Sequence, residues 1–266
     1  MTSSHLGSAT IPPHIFANRS VVSSVLVAAL LSFGLTSHTF YLPFYFQSAK
    51  GTTAASSGLR MLPYLLSVNI TELAVGTGST LLGVFLPFMY AGTSLFTLAA
   101  GLLCTLTLDT STAKLIGFQI LAGVGVGSSM QLCATSVRAA VQKKDIPMAA
   151  TLSVFAPFFG SSLGAAINQN TFRTTLKQEL LGFLSELDAD AVIKAGGSEF
   201  KEVTANVEHV RVMEAYNDAL RIVFITASVV GGIAFVGTLC IKWRTLKAKP
   251  NAGDDSAEHS ESEKMT

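Results

Sequence analysis

The chain has 266 residues, 49% of them hydrophobic and only 13% charged, with a mean hydropathy of +0.49 and a net charge of +1. Soluble domains carry roughly 25% charged residues, so this is a membrane composition, neither soluble nor disordered; the near-neutral balance leaves no basic footprint for nucleic acid. Three cysteines, Cys104, Cys133 and Cys240, supply neither a disulfide framework nor metal-ligand spacing.

The charges are unevenly spread: 14 fall in 173–218 and 10 in 242–266, leaving long apolar stretches elsewhere. About 20 helical residues cross a bilayer. In chain order, residues 1–19 read as a polar segment without the apolar core of a secretory signal. Six spans follow, near Val21–Gln47, Leu59–Leu81, Gly83–Leu106, Lys114–Val141, Pro147–Asn168 and Arg221–Ile241. Helices are the open structures that satisfy their own backbone in lipid, so the fold class is an all-α membrane protein with six transmembrane helices. Spans two and three meet almost without a loop around Gly83 to Pro87, which predicts a tight hairpin.

The six-helix domain thus covers 20–242. Within it, 173–218 reads as a long wet loop. Its leucines Leu176, Leu180, Leu184 and Leu187 make an amphipathic stripe fit for the membrane surface or the bundle, and Gly196, Gly197 and Ser198 mark a break. Residues 243–266 read as a disordered cytosolic tail. Lys/Arg bias sets orientation. Arg19, Arg138, Lys143, Lys144, Lys242 and Arg244 share one end, so both termini are placed in the cytosol and the loop outside or in a lumen.

Polar groups within the spans are the functional candidates, because ionisable groups in a membrane are costly. Glu72 lies deep in the second span, and Asn69, Glu72, Gly76 and Ser79 follow helical spacing. Either Glu72 faces a cavity, binding a cation or a proton, or it ties helices together. The fourth span carries Gln119, Gly123, Gly127 and Gln131, each four apart. The glycines read as helix packing; the glutamines read as substrate contacts or interhelical bonds. In the fifth span Pro157, Gly160 and Gly164 suit a kink that either gates or is static. His38, near Tyr41, suits a proton relay or a structural hydrogen bond.

No catalytic constellation and no cofactor or metal motif occurs. Gly123-Val-Gly125-Val-Gly127 lacks the spacing of a dinucleotide loop. The remaining histidines, His5, His14, His209 and His259, are scattered over wet segments. The sequons at Asn18 and Asn69 fall at a cytosolic and a buried position and carry no inference. A membrane enzyme built on Glu72 or His38 would lack companions.

Several strings resemble a known family. They are Phe40-Tyr-Leu-Pro-Phe-Tyr-Phe-Gln-Ser-Ala-Lys-Gly51, Ser57-Gly-Leu-Arg-Met-Leu-Pro63, Pro87-Phe-Met, Gly117-Phe-Gln-Ile-Leu-Ala-Gly-Val-Gly-Val-Gly127, Lys144-Asp-Ile-Pro147, Gln169-Asn-Thr-Phe172 and Glu214-Ala-Tyr-Asn-Asp-Ala-Leu220. In this order, over about 15–245, they are similar to the fungal fourteen-helix drug:proton antiporters of the major facilitator superfamily. The likeness covers that fold's C-terminal six-helix half. It implies a transmembrane efflux transporter, or half of one, exporting a small organic molecule such as a toxin or secondary metabolite, with proton coupling. Partners would be the bilayer, with the plasma membrane expected and a vacuolar or other internal membrane as the alternative, the substrate, and a second six-helix half or second copy. The alternatives are a non-transporting membrane protein that pairs with another half and an inactive remnant. The chain departs from the family in lacking the first half's motifs, in having leucine where many members have a basic residue at Thr80-Leu-Leu-Gly83, and in Glu72.

Overall fold

The structure, a computed structural model, describes residues 13–185, 189–190, 192–193 and 206–242. The expectations for 1–12, for the break at Gly196, Gly197 and Ser198, and for the tail 243–266 lie outside the described residues. The described chain is built from helices: α1 (Pro13–Phe16), α2 (Arg19–Ser48), α3 (Ala54–Arg60), α4 (Leu62–Leu82), α5 (Leu86–Leu103), α6 (Thr112–Ala140), α7 (Ile146–Leu181) and α8 (Asn206–Leu239). Six of the helical stretches are long and apolar enough to cross a membrane.

Local chemistry sets the helix ends. The Asn18 side chain accepts from the Ser20 amide to start α2, and Ser111 caps α6 in the same way. Pro63, Pro87 and Pro147 sit in the first turns of α4, α5 and α7, where a missing N–H costs nothing. Gly83 ends α4 with φ 72°, a left-handed conformation that glycine adopts without strain, and the chain re-enters the bundle at Leu86.

α6 is the central helix, packed against α4, α5, α2 and α7, while α2 also runs against α7 and α8. α4 rests mainly on α6 and is the most exposed span. Alternating helix directions gather Asn18, the Gly83 hairpin, the Lys143–Asp145 turn and the end of α8 at one end of the bundle, called here the basic end. There the Asn18 amide donates to the Ala140 carbonyl at 2.7 Å and the Lys242 amide to the Ser20 hydroxyl at 3.2 Å. At the opposite end Tyr45, Lys50 and Asn217 hold the 104–111 connection by donating to the carbonyls of Thr107, Leu108 and Leu106.

The expected wet loop over 173–218 is corrected at both ends. α7 continues to Leu181, and α8 starts at Asn206 rather than near Arg221. With 36 residues, α7 is about 54 Å long at 1.5 Å per residue, against a hydrocarbon core of about 30 Å. Its last turns therefore stand clear of the membrane, where Lys177 pairs with Asp190 at 3.3 Å. The first part of the leucine stripe turns inward, Leu176 and Leu180 packing with Val212, Ala215, Tyr216 and Ala219 of α8, while Leu187 lies outside the described residues. The polar segment 1–19 is also folded at its end, since Ile15 is buried among Val21, Val137, Ala149 and Leu152.

Candidate functional site

The site begins with the approach of α4 to α6. A Cβ on Gly123 would meet Ser67 and the Tyr64 carbonyl; one on Gly127 would meet the Val68 carbonyl and, at 3.1 Å, the Glu72 amide. The two glycines thus bring the α4 backbone onto α6 over the turns that carry Glu72. Glu72 stands ten residues from either end of α4, at mid-height of the span. It is half-buried, and among the described residues no ion pair or side-chain hydrogen bond involves it.

Beside it runs an open groove of about 620 Å³, lined by Asn69, Glu72, Leu73, Gly76, Thr77, Thr80, Leu81 and Gln131. Asn69 donates to the Leu65 carbonyl at 2.7 Å, leaving its amide oxygen for the groove. Thr77 and Thr80 donate to the carbonyls of Leu73 and Gly76, so their hydroxyl oxygens stay available as acceptors. The groove offers a carboxylate, two amides and two hydroxyls against leucine, a surface suited to an amphipathic molecule with a donor or cationic group.

The structure brings Asn69, Glu72, Gly76 and Gln131 together and separates them from the other candidates. Ser79 is buried, its hydroxyl turned back to Gly76. Gln119 is wholly buried, with both amide atoms unpartnered among the described residues, so it is not on the open face. Twelve residues on an α-helix turn the direction by about 120°, which separates Gln119 from Gln131 despite the regular spacing. His38 is buried too, within an aromatic cage: its ring lies 5.3 Å from Phe96, 5.8 Å from Tyr64 and 6.1 Å from Phe224. Its Nδ1 is 3.4 Å from the Tyr64 hydroxyl, while Nε2 has no partner among the described residues. Sequence reasoning missed Thr77 and Thr80; threonine folds its hydroxyl onto its own helix so readily that a lone one gives no signal.

On α7, Gly160 lies against the Ala29 carbonyl and Gly164 against Phe33, both on α2. One turn further the Asn168 amide donates to the Ser37 hydroxyl at 2.6 Å. Pro157 sits inside this helix one turn before Gly160. These residues join α7 to α2 and take no part in the groove.

Six helices long and apolar enough to cross a bilayer, with a polar groove beside Glu72, define a multi-pass membrane protein. No family model matches the chain. Curated relatives do: the MFS-type efflux pump MFS1 of Arthroderma benhamiae is 31% identical over 242 residues, 91% of this chain and 45% of the pump. The MFS-type transporter astH of Aspergillus oryzae is 33% identical over 241 residues, 91% of this chain and 43% of that protein. The efflux pump aunC of Aspergillus niger is 31% identical over 236 residues, 89% and 45%. The chain spans less than half the length of these relatives. Over about nine-tenths of its length the chain is similar to these major facilitator proteins, and its six apolar spans accord with one six-helix half of such a protein.

Proposed function

We propose that the chain supplies one half of an efflux transporter for a small amphipathic organic molecule of the toxin or secondary-metabolite kind. The groove between α4 and α6 forms one wall of the substrate path. The observation that carries this reading is Glu72, an unpaired carboxylate at mid-membrane on an open face. Such a group is costly against lipid and calls for water or a protein surface opposite it. In a facilitator transporter that surface is a second six-helix bundle, and substrate binds between the two. The second bundle comes from the same polypeptide, a separate chain or a second copy. The pump names of the relatives support the direction of transport.

Proton coupling is part of the proposal, with Glu72 as the group that exchanges its proton for a cationic or donor group of the substrate. His38 is a secondary candidate for the relay and Gln119 for hydrating it, since each keeps an unpartnered buried nitrogen. Both termini are placed in the cytosol, and the plasma membrane is the proposed location.

Glu72→Gln tests the mechanism in cells carrying a transport-competent form. Export should fall at least about tenfold and lose its pH dependence, the scale of removing one general acid–base group being about 10²–10⁴ in a proton-transfer step. Unchanged export with an unchanged pH profile removes Glu72 from the mechanism. Persistence of export after the proton gradient is collapsed removes proton coupling and leaves the transporter class standing.

A further inference from the structure

A second cavity, of about 430 Å³, opens at the end of the bundle opposite the basic end, between α2 and α7. Its volume falls within the roughly 300–1,000 Å³ of small-molecule sites. Five aromatic residues line it: Phe40, Tyr41 and Phe44 from α2, Phe172 from α7 and Tyr216 from α8. Tyr41, Phe44, Phe172 and Tyr216 form one connected set, and Phe40 stands exposed at its edge. Phe172 lies 5.4 Å from Tyr41, 5.8 Å from Phe44 and 6.1 Å from Tyr216, always tilted rather than stacked. Tilted rings offer both edges and faces, the surfaces that another aromatic ring packs on.

The rim has a different chemistry. Gln169 and Arg173, one turn apart on α7, are exposed at its edge. The nearby Asp190 is engaged by Lys177. Arg173 itself has no ion pair or hydrogen bond among the described residues. A guanidinium is a planar fork that matches a carboxylate with two parallel hydrogen bonds.

We infer that this pocket binds a planar aromatic acid, its ring among Phe40, Tyr41, Phe44 and Phe172 and its anionic group on Arg173, with Gln169 donating alongside. The pocket is separate from the α4–α6 groove, so this inference and the proposed function can fail independently. Phe40 and Arg173 are exposed, and their substitution leaves the buried packing of Phe172 and Tyr216 intact.

The test is equilibrium binding of radiolabelled 2-naphthoate to the full chain in phosphatidylcholine nanodiscs. Neutral 2-naphthalenemethanol and straight-chain decanoate serve as comparisons. Saturable naphthoate binding is expected, weakened about tenfold or more by Arg173→Gln, the scale of a hydrogen bond to a charged group, and weakened also by Phe40→Ala. The alcohol should bind more weakly than naphthoate and be indifferent to Arg173→Gln. Decanoate binding as tightly as naphthoate would show a site for lipid chains and overturn the inference. So would naphthoate binding that equals that of empty nanodiscs or is unchanged by both substitutions.

Discussion

Gly160 shows how closely two helices can be set by one residue. A Cβ there would strike the backbone of Ala29, and backbone cannot move aside as the end of a side chain can. Gly160→Ala therefore forces α7 away from α2 and should cost about 1–3 kcal/mol, the range for overpacking. Gly117→Ala is the control: nothing lies within 4 Å of its added Cβ, and alanine is favoured over glycine inside a helix by about 1 kcal/mol. Thermal unfolding of the two purified variants should move in opposite directions. A shift of the same sign in both would mean that propensity, not close approach, governs Gly160. The glycines were legible as packing residues because their spacing repeats one helix face. Gln119 was not legible, because a spacing of four drifts around the axis and carried it from the open face into the core.

At the scale of elements, the six spans could be read from apolar length alone, since about 20 residues are needed whatever surrounds them. The extensions of α7 and α8 could not. Lys177, Glu179, Arg211 and Glu214 read as loop because membrane-span reasoning treats charge as an end, yet beyond the bilayer charge is compatible with helix. Their apolar stripe was visible, and packing of Leu176 and Leu180 on α8 decides where it goes. The same helix directions put Arg138, Lys143, Lys144 and Lys242 at one end and Lys50, Asp109 and Lys114 at the other. The proposed orientation, argued from the Lys/Arg bias, puts the first end in the cytosol. With the native cysteines replaced, Asp109→Cys should react with a membrane-impermeant maleimide on intact cells. Lys143→Cys should react only after permeabilisation. The reverse pattern would put both termini outside.

The molecule as a whole exposes its spans unequally. In the most apolar window of each, 61% of the α2 residues are buried but only 6% of those in the α3–α4 stretch. Lipid accepts an exposed apolar face, so exposure alone does not distinguish bilayer from a second bundle. The polar groove does, because only one of the two surroundings can hold water beside Glu72. Spin labels at Leu73, 75% exposed on the groove, and Val229, 59% exposed on α8, report the difference in membranes. If α4 faces a substrate path, the Leu73 label collides more often with a water-soluble nickel complex than with oxygen, while the Val229 label does the opposite. If both labels read as lipid, α4 lies against the bilayer. Glu72 would then take no part in a substrate path, since such a path needs water or a protein surface beside it.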